Sequence, residues 1–279
     1  MTGQPSGRRM PPTPQPPSAL TRTVDADLAR LSADPATPQR LEQQLRLLAK
    51  WRSMVLANTL AVRTGGVIPA GPFQGMLYAV AASEGGRAPR LLGAYEASLH
   101  PVIETVIARD YPQILDIGCA EGYYAVGLAR RMPQTTVHAR DLNPMARKLC
   151  AELAAANHVA DRLQIGPEVA HADFALCKAA RTFILCDIEG GEATLLDPTL
   201  APGLALADIL VEVHEGMHAG LVATLTARFG PTHRITRLDR TLRLDLLPQW
   251  ADTLSDLDRL LLLWEWRSSP TPWLWMECR

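Results

Sequence analysis

The sequence of 279 residues lacks the features that mark several large classes of protein. Positive charge is not in excess, because 28 lysines and arginines stand against 29 aspartates and glutamates, so nucleic acid is not expected as a partner. No apolar run approaches the ~20 residues of a membrane span, so no membrane partner is expected either. The five cysteines form neither a Cys-x-x-Cys pair nor an even framework, which is typical of reduced thiols. No apolar stretch follows Arg8 and Arg9, so we expect no signal peptide and a cytoplasmic protein.

Composition and periodicity divide the chain into three parts. Residues 1–20 are rich in proline, serine and glutamine and are predicted to be a disordered tail. Residues 21–88 carry leucines at three- and four-residue steps, interrupted at Asp34-Pro35, and are predicted to form a helical segment that acts as a lid or a packing partner. Residues 89–279 alternate between strand and helix patterns and are predicted to form the main domain.

Seven short apolar runs in the main domain predict strands, at residues 114–117, 136–140, 163–165, 183–186, 209–213, 233–238 and 273–276. Because strands alternate with helices, the predicted fold is α/β: a Rossmann-like, seven-stranded, mostly parallel sheet with helices on both faces, preceded by the N-terminal helical segment.

Two predicted helices adjoin the first and the fifth predicted strands. One covers residues 92–109, and the other covers residues 217–229. On the first helix, Glu96 and His100 lie one turn apart and can meet on one face, next to Tyr95. This face is interpreted either as an ordinary solvated surface or as a lid over a ligand.

The first predicted strand leads into a turn that contains Gly118 and Gly122, and then into a helix. Ligands of open α/β sheets bind at the carboxyl ends of strands, and glycines let the backbone approach a ligand closely. A dinucleotide-binding loop would have glycine where Asp116 stands, and no Gly-Lys-Ser/Thr follows that would indicate a P-loop. Asp116 and Glu121 would repel a diphosphate but suit a sulfonium cofactor with a free amino group. Asp141 follows the second strand, where an acidic residue accepts ribose hydroxyls.

The segment LDIGCAEGYY, residues 115–124, resembles the first motif of class I S-adenosylmethionine-dependent methyltransferases. The segments CDIEGGE (186–192) and DILVEVHE (208–215) resemble the FkbM-type branch, whose signature is Asp-x-Glu-Gly-x-Glu followed by an aliphatic strand that ends in Glu-x-His. The resemblance covers roughly residues 110–215. It departs from the family at residues 140–144, which read Arg-Asp-Leu-Asn-Pro where Glu-Pro is more usual.

The resemblance implies O-methylation of a small-molecule hydroxyl, on a sugar or a natural-product intermediate, with S-adenosyl-L-methionine as cofactor. The predicted cofactor site consists of Asp116, Gly118, Cys119, Glu121, Gly122, Tyr123, Asp141, Leu142, Asn143 and Asp187. The Asn/Asp-Pro-Pro-Tyr/Phe tetrapeptide of amino-methylating nucleic-acid enzymes is missing after the fourth strand. The alternatives are N- or C-methylation of a small molecule, or a catalytically silent, cofactor-binding regulatory protein. A homo-oligomer is a further possibility that the sequence leaves open.

Four chemically versatile residues follow the fourth and fifth predicted strands. Because side chains alternate along a strand, Asp187 and Glu189 are expected to point to one side, and so are Glu212 and His214. Three interpretations stay open. All four residues hold a divalent cation, Mg²⁺ or Mn²⁺; or His214 or Glu212 is a catalytic base without a metal; or Glu189 caps a helix and Glu212 pairs with an arginine.

Overall fold

The computed structural model describes residues 17–83, 85–267 and 269–279. The predicted disordered tail therefore lies largely outside the described residues, since residues 1–16 are not among them. The first helix begins at Ala19, inside the predicted tail, because the Ser18 hydroxyl accepts a hydrogen bond from the N–H of Thr21. Such an N-cap satisfies a backbone donor that the first helical turn leaves free.

Ten α-helices and seven strands follow in chain order among the described residues. The helices are α1 (Ala19–Ala33), α2 (Pro38–Thr64), α3 (Arg87–Leu92), α4 (His100–Arg109), α5 (Tyr123–Arg131), α6 (Pro144–Ala156), α7 (Leu176–Ala179), α8 (Glu192–Leu195), α9 (Leu221–Phe229) and α10 (Asp256–Leu262). The strands are β1 (Gln113–Ile117), β2 (Thr136–Arg140), β3 (Leu163–Gly166), β4 (Thr182–Cys186), β5 (Asp208–Glu212), β6 (His233–Leu238) and β7 (Trp273–Cys278).

The described chain divides into two compact units, one ending at Trp51 and the other running from Arg52 to Arg279. The first consists of α1 and the amino-terminal part of α2. The division falls inside α2, and the predicted boundary between residues 88 and 89 stays a prediction. In the described parts of the chain, no helix is both long enough and apolar enough to cross a membrane.

One sheet with the strand order β3-β2-β1-β4-β5-β7-β6 forms the centre of the second unit. Only β7 runs antiparallel to its neighbours β5 and β6, so the predicted seven-stranded, mostly parallel sheet is confirmed. The register pairs Ile117 of β1 with Cys186 of β4, and Cys186 with Val211 of β5. The carboxyl ends of the three central strands therefore meet at one level of the same edge.

The predicted helix over residues 92–109 is only partly correct. Its second half is α4, which begins at His100, whereas α3 ends at Leu92 and the chain turns between the two helices. The turn follows from packing: a Cβ on Gly93 would lie 1.9 Å from the carbonyl oxygen of Ala70, so this position approaches a distant backbone closely. Glu96 consequently lies outside a helix, with φ +46°, and does not share a helix face with His100.

The loop before α3 is part of the core of the second unit. Ile68, Phe73, Met76 and Tyr78 are all buried. The Phe73 ring packs against Gly127 of α5, where a Cβ would come within 2.5 Å of the ring. This contact fixes the loop on the helix that follows the first strand. The predicted helix over 217–229 starts later than expected, since residues before Leu221 form turns after β5.

Candidate functional site

The turn after β1, residues 118–122, is called the glycine loop below. Gly118 and Gly122 have φ values of +82° and +92°, which favour glycine. A Cβ on Gly118 would lie 1.7 Å from the carbonyl oxygen of Asp187, and one on Gly122 would lie 2.7 Å from the Sγ of Cys150. The two glycines therefore let the loop pack against the turn after β4 and against α6. The predicted contact of these glycines with a cofactor stays a prediction.

Asp116, on β1, points its carboxylate into a narrow cavity beside the glycine loop. Its side chain is only 1% exposed, and neither oxygen has a hydrogen-bond partner among the described residues. Burial, and then the charge of Asp141, raise the pKa of Asp116 to about 7. The nearby N–H of Ala125 acts in the opposite direction and lowers this pKa, although its geometry lies outside that of an ordinary hydrogen bond. A buried carboxylate without a partner is costly, so the cavity favours a ligand that donates hydrogen bonds or carries positive charge.

Asp141 follows β2 at the next position along the same edge. Its Oδ2 accepts a hydrogen bond of 2.9 Å from the N–H of Ala120, and its Oδ1 accepts one of 2.7 Å from the N–H of Asn143. These two donors orient the carboxylate beside the glycine loop. The neighbouring Leu142 is 72% exposed, whereas the Asn143 side chain caps α6 through the N–H of Met145.

Glu121 has a different environment from the one expected of a cofactor ligand. Its buried carboxylate forms an ion pair with Arg90 at 3.0 Å and accepts hydrogen bonds from the hydroxyls of Tyr78 and Ser83, at 2.6 and 2.7 Å. Burial raises the pKa of Glu121, but the charge of Arg90 and these hydrogen bonds outweigh it and lower the pKa overall. Glu121 thus anchors the loop that precedes α3 to the glycine loop.

Aromatic residues line the same cavity. Tyr95, Tyr123, Tyr124 and Trp273 contribute to its walls, together with Cys119, Leu185 and Asp187. Tyr123 packs edge-on against Tyr95 with ring centroids 5.4 Å apart. The walls of the cavity therefore combine aromatic rings with charged groups, and the carboxylate of Asp116 has no hydrogen-bond partner among the described residues.

The second part of the site lies where β4 and β5 end, and its three side chains are called the His214 cluster: Asp187, Glu212 and His214. The Nε2 of His214 lies 3.7 Å from an oxygen of Asp187 and 3.8 Å from an oxygen of Glu212. One ligand atom from each of the three residues falls within 4.8 Å of the others. The structure thus brings together three of the four predicted metal ligands.

Glu189, the fourth predicted ligand, does not join the His214 cluster. It is exposed and has φ +48°, because β4 ends at Cys186 and the alternation of side chains stops there. The residue that contacts His214 from this turn is Glu192, whose Oε1 lies 2.8 Å from the Nδ1. Glu192 was quoted in the sequence signature but not assigned to the site.

The charges around the cluster perturb two of its members. Burial lowers the pKa of His214, but the hydrogen bond to Glu192 and the charges of Glu212 and Glu192 outweigh it, so the pKa is raised overall. Burial and the carboxylates of Glu212 and Glu96 hold the pKa of Asp187 well above its usual range. In the described part of the chain, Asp187 forms no ion pair with an arginine or a lysine.

Arg267, which sequence reasoning missed, ties the cluster to residues far away in the chain. Its guanidinium forms ion pairs with Glu212, Glu96 and Glu265, the last at 3.0 Å. The structural interpretation of Glu212, as a partner of an arginine, therefore holds for its Oε1, while its Oε2 faces His214. The hydroxyl of Tyr124 also donates to Glu96, whose pKa burial raises to about 7.

A larger cavity, of about 660 Å³, opens at the opposite end of the sheet, by the first residue of β5. Arg109 spans it and pairs with Asp208 at 2.8 Å and with Glu277 at 2.5 Å. Ligands of α/β sheets bind at the carboxyl ends of the strands, where the glycine loop and the His214 cluster lie. We therefore assign the candidate site to the smaller cavity.

Comparison with known proteins gives likeness of fold only. No family model and no curated protein matches the chain. An O-methyltransferase from Bacillus cereus, solved with SAH, is 12% identical, with coverage of 95% of this chain and 92% of that one and a TM-score of 0.42. The O-methyltransferase TomG from Streptomyces achromogenes, solved with SAM, is 12% identical, with 81% and 89% coverage and a TM-score of 0.44. Membership of the FkbM-type branch stays a prediction.

Proposed function

We propose that the protein is an S-adenosylmethionine-dependent methyltransferase that methylates a hydroxyl group of a small molecule. The observation that carries this proposal is the Asp116 carboxylate, which is buried, lacks a hydrogen-bond partner and faces a cavity beside the glycine loop. Such a group needs a donor or a positive charge from a ligand. The amino group and the sulfonium of S-adenosylmethionine supply both.

The residues around the cavity fit this cofactor. Asp116 would hold its amino group, and Asp141, oriented by two backbone N–H groups, would hold its ribose hydroxyls. Aromatic rings line the cavity that Asp116 faces. When bound, S-adenosylmethionine supplies a methyl group on a positively charged sulfur. Glu121 is not needed as a ligand in this arrangement, since its oxygens are occupied by protein groups.

The His214 cluster supports a hydroxyl as the acceptor. An alkyl hydroxyl keeps its proton at neutral pH, so its attack on carbon needs a base or a metal ion. The Nδ1 of His214 is engaged by Glu192, and its Nε2 faces the cleft between Asp187 and Glu212. In this proposal Nε2 accepts the hydroxyl proton, and the two carboxylates stabilise the resulting imidazolium. Asp187, one of the cofactor contacts predicted from the sequence, lines the cavity of Asp116 and also belongs to the His214 cluster, so it connects the two parts of the site.

A divalent cation is the second candidate for the same position. Two carboxylates and an imidazole nitrogen within 4.8 Å of one another form a suitable ligand set for Mg²⁺ or Mn²⁺, which would lower the pKa of a bound hydroxyl. Asp187, which forms no ion pair with an arginine or a lysine among the described residues, would gain a divalent partner. Treatment with a chelator divides the two candidates: loss of activity with recovery on adding Mg²⁺ or Mn²⁺ supports the cation, and unchanged activity supports His214 as base.

Transfer of label tests the proposed function itself. The protein is incubated with S-adenosylmethionine carrying a labelled methyl group and with a small-molecule extract, and a His214→Ala preparation serves as the control. Label in small molecules that depends on His214 supports the proposal, and the linkage of the new methyl group distinguishes O- from N- or C-methylation. Binding without any transfer would favour a catalytically silent regulatory protein.

A further inference from the structure

Glu192, the first residue of α8, has a fully buried carboxylate that contacts the His214 cluster from behind. Its Oε1 lies 2.8 Å from the Nδ1 of His214, and its Oε2 accepts a hydrogen bond of 2.8 Å from the N–H of Gly190. The N–H of Ile188 lies 3.4 Å from Oε1 and adds a weaker donor. The carboxylate therefore joins the turn after β4 to the histidine after β5.

These contacts fix which nitrogen of the imidazole carries the proton. The backbone N–H groups of Gly190 and Ile188 can only donate, so both oxygens of Glu192 act as acceptors. As a carboxylate, Glu192 can only accept hydrogen bonds, so Nδ1 of His214 is the donor to Oε1 and carries a proton. In a neutral imidazole the other nitrogen, Nε2, is left with its lone pair.

We propose that Glu192 is a positioning residue that holds His214 in the Nδ1–H tautomer and thereby presents the Nε2 lone pair to the cleft between Asp187 and Glu212. Without this hydrogen bond, the two carboxylates would draw the proton to Nε2, which lies 3.7 and 3.8 Å from their oxygens. A protonated Nε2 in a neutral ring can neither accept a proton nor bind a cation. The tautomer itself does not depend on the proposed function; only the role of Nε2 as a proton acceptor or metal ligand rests on it.

The substitution Glu192→Gln tests the proposal with almost no change of shape. The N–H of Gly190, at 2.8 Å, is a closer donor than the N–H of Ile188, at 3.4 Å, so the amide oxygen takes the place of Oε2. The amide NH₂ takes the place of Oε1, and the weak contact with the N–H of Ile188 is lost. The NH₂ then faces the Nδ1 of His214 as a donor. We expect the neutral imidazole to respond by moving its proton to Nε2, so that the variant holds the opposite tautomer.

Nitrogen-15 NMR of labelled histidine reads the tautomer directly, at an alkaline pH where the ring is neutral and with no substrate present. The His214 signals are assigned by their loss in His214→Gln. We expect an unprotonated Nε2 in the wild type and in the exposed control variant Glu168→Gln, and a protonated Nε2 in Glu192→Gln. A protonated Nε2 in the wild type would overturn the proposal. Finding the same tautomer in the wild type and in folded Glu192→Gln would also overturn the proposal. Glu192 would then stabilise the turn after β4 without setting the tautomer of His214.

A second measurement connects the tautomer to catalysis. In the methyl-transfer assay, Glu192→Gln is expected to lower kcat by ~10³–10⁴-fold, as when a catalytic histidine is held in the wrong tautomer, with an unchanged Kd for S-adenosylmethionine. Near-normal kcat in a variant with the switched tautomer would overturn the positioning role. If the wild type transfers no methyl group, the proposed function fails, whereas the NMR result still decides the tautomer.

Discussion

The two parts of the site are built in different ways. At the glycine loop, backbone groups position the side chains: two N–H donors orient the carboxylate of Asp141. Asp116 is buried there without a hydrogen-bond partner among the described residues. Around the His214 cluster, side chains surround one another. Arg267 forms ion pairs with Glu212, Glu96 and Glu265, and Glu265 also pairs with Arg240. The glycine-loop part thus contains a buried carboxylate that a ligand can partner. The part around the His214 cluster is instead a network in which each charged side chain is stabilised by its neighbours.

The comparison predicts that the two parts fail separately. His214→Ala should lower turnover by ~10²–10⁴-fold, the range expected for the loss of a general base. The affinity for S-adenosylmethionine should stay unchanged, because Asp116 and Asp141 are on other strands. Turnover and calorimetric affinity are measured on the same preparation. The control is His171→Ala, which changes a half-buried histidine whose ring contacts the carbonyl of Thr194. Weaker cofactor binding in His214→Ala would show that the His214 cluster also contributes to the binding of S-adenosylmethionine.

Removing the cation at the centre of the network should cost stability. Arg267→Met leaves Glu96, Glu212 and Glu265 without their shared partner, and breaking a buried ion pair in this way costs about 3–5 kcal/mol. Urea unfolding measures the effect. The matched control is Arg243→Met, whose solvent-exposed pair with Asp245 should contribute little to stability. Equal losses in the two variants would contradict the account of the network.

Asp116 should make stability depend on pH. Its pKa rises from 3.8 in the unfolded chain to about 7 in the folded protein, so the folded state favours the protonated carboxyl. The stability that this group contributes is present below about pH 4 and is lost as pH rises to about 7, in total about 4 kcal/mol. Asp116→Asn should remove this part of the pH dependence, as unfolding at several pH values would show. Parallel pH profiles for the variant and the wild type would contradict the raised pKa.

The smallest effect is expected at Glu189, which the sequence grouped with the His214 cluster. Glu189→Gln changes an exposed side chain, so turnover should stay within about twofold of the wild type, the ~0.5 kcal/mol typical of surface substitutions. The same assay should show a severe loss for Asp187→Asn. Equal losses for Glu189→Gln and Asp187→Asn would return Glu189 to the site.

The sheet and the glycine loop could be predicted because their signals are local. Each strand is a contiguous apolar run, and Asp116, Gly118 and Asp141 stand at fixed distances from strand ends. Glu189 was misplaced because the alternation of side chains was extended past Cys186, where β4 ends.

The rest depends on contacts between distant parts of the chain. The chain turns at Gly93 because its backbone lies close to the carbonyl of Ala70, and the sequence around residue 93 contains no pattern that predicts this contact. Arg267 reaches Glu96 across 171 positions, and sequence spacing does not indicate such a pair. Glu192 stood within the signature, but its role becomes visible only when the fold brings it against His214.

Calorimetric titration with S-adenosylmethionine tests the central claim most directly. The wild type should bind the cofactor, and Asp116→Asn and Asp141→Asn should each weaken binding by about 1.5–3 kcal/mol, the range for a hydrogen bond to a charged group. Native circular dichroism and unchanged affinity in Glu168→Gln serve as controls. Absence of binding to the wild type, or unchanged affinity in both aspartate variants, would contradict the assignment of the glycine loop.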